Sequence, residues 1–145
     1  MEIYTIGFTQ KTAQEFFQIL RENGVECVVD IRLRPTSQLS AFAKQDDLEY
    51  FLEEINGCDY VHLPQLAPTK EILSAYRKDK NWSKYERHYL KLLEERNIIE
   101  DEDLQILREK NCCLLCSEPT AEKCHRRVLA EFLADHWDNV NIFHI

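Results

Sequence analysis

The chain has few of the residues that loosen a backbone: three glycines and four prolines among 145 residues. That scarcity excludes long flexible connections and predicts short turns between regular elements. No apolar run is long enough to span a bilayer. The opening "MEIYTIGFTQ" has neither the basic nor the apolar stretch of a secretory signal. These two absences predict a cytoplasmic protein with no membrane partner. Thiols stay reduced in that compartment, so the six cysteines read as free thiols or ligands, not as a disulfide framework. No phosphate-binding P-loop or dinucleotide fingerprint occurs. Repeats, low-complexity stretches and linkers are missing too, so residues 1–145 are expected to form one domain.

What is present suits a packed core: 44% of residues are hydrophobic and 30% charged. The net charge of −8 argues against indiscriminate coating of nucleic acid. Charge is unevenly spread, however. Residues 70–91 hold seven Lys or Arg against three Asp or Glu, a local net of +4 that can hold an anionic ligand.

"EIYTIG" predicts a first strand ending at Gly7. Thr12 and Glu15 form a capping box for a helix whose face is Phe16, Phe17, Ile19 and Leu20, closed by Asn23 and Gly24. The near-continuous apolar run 25–31 predicts a strand buried on both faces. A helix is expected over 46–55 and a third strand at "DYVHLP". Trp82, Tyr85, Tyr89, Leu92 and Leu93 recur at helical spacing and predict one helix packed on the body, with no strand anywhere in 69–107. "EDED", residues 100–103, suits the first turn of the next helix. "NCCLLC" predicts a fourth strand, Thr120 a cap for a helix running to His136, and "VNIFHI" a fifth strand. Strands alternating with helices predict an α/β fold, a mainly parallel five-stranded sheet flanked by helices in Rossmann-like layers.

In such sheets ligands bind outside the carboxyl ends of the strands. Those ends deliver Gly7, then Asp30, Arg32, Arg34 and Ser37, then His62, then Cys116 and Glu118, with Cys124, His125 and Arg126 opening the last helix. Arg32 and Arg34 are either a clamp for phosphate or carboxylate or structural partners, for instance of Asp30. Asp30 ends an apolar strand and needs a partner if buried. Gly7 either lets a ligand approach the backbone or makes a tight turn. His62 is either a satisfied core histidine or a site residue. The aromatic-rich basic segment "YRKDKNWSKYERHYLK" could hold single-stranded nucleic acid, but its aromatics lie on the apolar stripe and read as core.

"CLLCSEPTAEKCH" looks like a chelating string. Residues three apart in a strand point to opposite faces, so Cys113 and Cys116 cannot grip one ion, and no metal site is expected. Cys27, Cys58, Cys112 and Cys113 read as buried hydrophobes. Cys116 and Cys124 differ. Cys116 ends its strand at the ligand edge. Cys124 falls near a helix start beside His125 and Arg126, where a thiolate is favoured. The alternative for Cys124 is burial beside Val128 and Phe132. Glu118, held extended before Pro119, is a candidate acid or base.

These residues also carry a resemblance. "TIGFT" resembles the T-I-G-[HY]-S opening of the family known as domain of unknown function 488. "DIRLRPTS" resembles its D-x-R-x-x-P-x-S, "YVHLPQLA" its Y-x-H-L-P-x-L-G, and "CSEPTAEKCHR" its C-x-E…C-H-R, with the closing "HI" at the family's ending. The resemblance runs nearly end to end and implies an α/β fold and the same strand-end residues, without supplying a reaction. Phe8 stands where the family has a polar ring, and Ala67 where it has glycine.

The convergence predicts an enzyme acting on an anionic, phosphorylated or nucleotide-like substrate. Cys116, Glu118, Cys124 and Asp30 are the catalytic candidates. Gly7, Arg32, Arg34, Ser37, His62, His125 and Arg126 are the binding candidates. No cofactor is expected. Two alternatives stand: a non-catalytic module binding a nucleotide, nucleic acid or protein, and a thiol redox or metal-binding protein.

Overall fold

The computed structural model describes all 145 residues. Its strands are β1 (Glu2–Gly7), β2 (Cys27–Asp30), β3 (Asp59–His62), β4 (Cys112–Cys116) and β5 (Asn141–His144). Its helices are α1 (Ala13–Glu22), α2 (Gln45–Phe51), α3 (Lys70–Asp79), α4 (Trp82–Glu95), α5 (Ile106–Glu109) and α6 (His125–His136). The strands form one sheet in the order β3-β2-β4-β1-β5, and every neighbouring pair is parallel. The α/β expectation therefore holds, with a sheet parallel throughout. No helix is long and apolar enough to cross a membrane.

Every residue of β2 and β4 is buried, as a strand covered on both faces requires. Side chains alternate between two cores. Cys27, Val29, Cys112 and Leu114 face α4 and α6, packing with Tyr89, Leu93, Leu129 and Leu133. Val28, Cys113 and Leu115 face α1 and α2, packing with Phe16, Phe17, Leu20 and Leu48. The period of two thus sends Cys113 to one side and Cys116 to the other.

The capping box forms as expected: Glu15 N–H donates to Thr12 Oγ1 at 3.1 Å, and Thr12 N–H to the Glu15 carboxylate at 3.0 Å. Several elements differ from expectation. β2 is shorter than 25–31, because Val25 and Ile31 leave the ladder while staying buried. The helix expected over 46–55 ends as α2 at Phe51 and widens into a π-helical turn, Leu52–Asn56, closed by Gly57 at φ 60°. The helix expected through Trp82, Tyr85, Tyr89, Leu92 and Leu93 forms as α4, and a second helix that was not expected, α3, precedes it. Lys80 turns left-handed at φ 52°, and the Asn81 side chain caps α4 by accepting from Lys84 N–H at 3.1 Å. The acidic run opens a 3-10 turn, Glu102–Gln105, capped by Asp101, before α5. The last helix is not capped by Thr120. Its N-cap is Cys124, extended at φ −140°, ψ 141°, and α6 starts at His125. The chain stays non-helical that far because Arg126 Nη1 reaches back and donates to the Glu118 carbonyl at 2.6 Å.

α3 is unusual in having no buried residue. It leans on α4 through Tyr76, whose ring lies 5.8 Å from that of Trp82 and 5.1 Å from that of Tyr85.

Candidate functional site

At the carboxyl edge of β2 and β4 the strands stop and leave a cavity of about 360 Å³, roofed by α3. Five cationic side chains line it: Arg32, Arg34, Lys70, Arg77 and Lys123. They face one carboxylate, Glu118. In a chain of net charge −8 this is a local reversal of sign. Cys116, Cys124 and His125 also lie on its lining.

Cys116 ends β4 on the α6 face of the sheet. His125, the first residue of α6, brings Nδ1 to 3.5 Å from the Cys116 Sγ. The other ring nitrogen, Nε2, lies 3.0 Å from the Ile31 carbonyl oxygen. A carbonyl only accepts, so Nε2 carries a proton and Nδ1 is left to take one from the thiol. Tyr89 packs edge-on against the imidazole at 5.6 Å, and its own hydroxyl donates to the Leu66 carbonyl at 2.6 Å. The histidine is thus held in one orientation from two sides.

The Cys116 and Cys124 sulfurs lie within 4.8 Å of each other, and their environments push their ionisation apart. Cys116 is drawn below the usual thiol range, first by a hydrogen bond from Cys124, then by the Glu118 and Ser117 backbone N–H groups and the Arg126 charge, all against burial. Cys124 is pushed up by that same hydrogen bond and by burial. Cys116 is the thiol of the pair that ionises more readily, because only Cys116 faces backbone donors in the turn leaving its strand.

Arg32 sits 5% exposed at the cavity floor. Its Nε and Nη2 donate to the two Asp30 oxygens at 2.8 and 2.6 Å, and its backbone N–H donates to Asp30 Oδ1 at 3.1 Å. Phe8 lies under the guanidinium, 5.3 Å from ring centre to Cζ. Nη1 is buried with no protein partner.

The sequence-predicted residues divide accordingly. The cavity gathers Arg32, Arg34, Cys116, Glu118, Cys124 and His125. It does not gather the other five. Asp30 is fully buried beneath Arg32, and the Tyr60 hydroxyl also donates to it at 2.6 Å, so its carboxylate is a structural counter-ion. Gly7 is no opening for a ligand: a Cβ there would land on the Glu118 carbonyl, with Arg126 Nη1 2.8 Å away. Ser37 is exposed and caps a 3-10 turn, accepting from Leu39 N–H at 3.2 Å. His62 Nε2 lies 2.8 Å from the Arg32 carbonyl oxygen, outside the cavity lining. Arg126, 1% exposed, braces the loop before α6 and reaches Cys124 Sγ at 3.6 Å. Cys27, Cys58, Cys112 and Cys113 are buried free thiols, as expected.

Sequence reasoning missed Lys70, Arg77, Lys123 and Tyr85 as individual lining residues. The positive balance of 70–91 pointed to the first two. Tyr85 reads as core from its spacing, and it is 5% exposed, yet it also lines the cavity.

The reading that no metal site forms was drawn from Cys113 and Cys116, and the geometry supplies a different set. One atom each of Cys116, Cys124 and His125 lie within 4.8 Å of one another, all on buried residues. Two thiolates and an imidazole are a donor set suited to zinc.

A family model described as domain of unknown function DUF488 matches residues 12–133. That span contains Arg32, Cys116, Cys124 and His125 and leaves out "TIGFT" and the closing "HI". No curated protein and no solved structure matches the chain.

Proposed function

The chain belongs to the family described as domain of unknown function DUF488, and from that premise, which carries no reaction, we propose an enzyme acting on a small anionic substrate. The substrate is phosphorylated or nucleotide-like, and Cys116 is the reacting group. One observation carries this: a cavity with five cations, one carboxylate and a histidine-paired cysteine at its base.

The chemistry follows from the pairing. His125 Nδ1 takes the Cys116 proton, and the thiolate attacks an electrophilic centre such as phosphorus. The S–P bond forms as the bond to the leaving oxygen breaks, and that oxygen takes the proton from the imidazolium. Water then attacks phosphorus, giving a proton to Glu118 as the S–P bond breaks. Backbone N–H groups of Ser117 and Glu118 and the free Arg32 Nη1 are fixed donors where negative charge develops.

Calorimetry with inorganic phosphate, pyrophosphate and mononucleotides tests binding. Turnover of phosphoesters and intact-mass detection of a Cys116 adduct test the chemistry. Cys116→Ser is expected to keep anion affinity within about twofold and lose at least about a hundredfold in rate. Absence of anion binding, or full activity in Cys116→Ser, overturns the proposal. Binding without turnover supports the non-catalytic module instead.

The cluster of Cys116, Cys124 and His125 favours a second reading, a zinc site. Nε2 bonded to a carbonyl is the usual orientation of a ligating histidine. Against it stand two buried guanidinium groups, Arg126 at Cys124 and Arg32 on the same cavity, which oppose a divalent cation. One zinc per untagged chain, lost in Cys124→Ser, would replace the thiolate chemistry.

A further inference from the structure

Lys70, Leu73, Ser74 and Arg77 all line the cavity. Their spacing, i, i+3, i+4 and i+7, makes them one face of α3. A helix ordinarily buries its inward face against a core. α3 has no buried residue, and its inward face looks into the cavity. Its charged ends are seven residues apart, about 10 Å along the axis. Between them and the strand ends lie apolar and aromatic surfaces, Leu73, Pro68, Tyr76 and Tyr85. Across the cavity sit Arg32, with its unpartnered buried Nη1, and the Cys116 turn.

Cationic donors therefore occupy two walls, separated by an apolar and aromatic patch. We propose that the ligand carries two separated anionic groups joined by a ring-bearing spacer, of the nucleoside bisphosphate class. One phosphate lies at the floor, against Arg32 and the Ser117 and Glu118 backbone N–H groups. The ring rests on Tyr76, Tyr85 and Leu73. The second phosphate lies against α3, between Lys70 and Arg77. The proposal rests on the anion-binding reading above, and not on whether a thiolate or a metal does the chemistry.

Calorimetry with inorganic phosphate, adenosine 5′-monophosphate and adenosine 3′,5′-bisphosphate tests it. The bisphosphate is expected to bind about tenfold more tightly than the monophosphate. In Lys70→Gln/Arg77→Gln the bisphosphate is expected to lose about tenfold more affinity than the monophosphate, which removes that advantage. Both side chains are exposed, and an unchanged melting curve will show that the variant folds. Equal affinities for the two nucleotides, or a variant that weakens both alike, overturns the two-anion ligand and leaves the anion site standing. If none of the three probes binds, the anion site itself fails and this proposal with it.

Discussion

Gly7 shows how tightly the site's supports are built. Its missing side chain is where the Glu118 carbonyl sits, and that carbonyl accepts the Arg126 guanidinium. Gly7→Ala must push backbone away from backbone, so urea unfolding should show a loss of about 3 kcal/mol. The Asp30–Arg32 pair behaves differently. Both groups are buried, so Asp30→Asn strands a charge, and a loss of about 3–5 kcal/mol is expected in the same measurement. The thiol pair gives a prediction in pH. Cys116 is drawn below 9.0, so the rate of its alkylation by iodoacetamide should rise with pH through a midpoint below 9.0 as thiolate forms. Removing the donor that contributes most, by Cys124→Ala, should move that midpoint upward. An unmoved midpoint would mean the Cys124 thiol does not stabilise the Cys116 charge.

Elements, more than residues, decide what was legible beforehand. The central strands β1, β2 and β4 were readable because buried parallel strands are near-continuous apolar runs, and their carboxyl ends then located the edge. Asp30 and Gly7 stood at that edge in sequence, but chain position does not say whether a polar group faces a cavity or a neighbour. The Arg32 and Arg126 side chains settled that by turning inward. The start of α6 was misplaced because Thr120 is a better capping residue than Cys124. A tertiary hydrogen bond from Arg126 outweighs a local preference of about 1 kcal/mol. α3 was not expected because its apolar residues Ile72, Leu73 and Tyr76 make no buried stripe, and one left-handed residue, Lys80, separates it from α4. With no buried residue, α3 should open locally more readily than α6. Hydrogen exchange should find its amides less protected than those of 125–136, and more protected once a bound anion bridges it to the sheet. Equal protection in both helices would contradict this.

At the scale of the molecule, a chain of net charge −8 carries one cavity lined by five cations. A small anion that enters meets only the lining. A long polyanion also meets the acidic surface, so oligonucleotides should bind no more tightly per chain than a mononucleotide at about 0.15 M salt. Tighter, length-dependent binding would move the partner to nucleic acid. The order of the strands carries a last consequence, for synthesis. β4 lies between β1 and β2, which do not pair with each other. On the ribosome β2 can pair with β3 once residues 59–62 emerge, but β1 must wait, unpaired, until residues 112–116 do. The strand that closes the sheet is the one that ends in Cys116, so a nascent chain cannot complete its core before it also places its thiol.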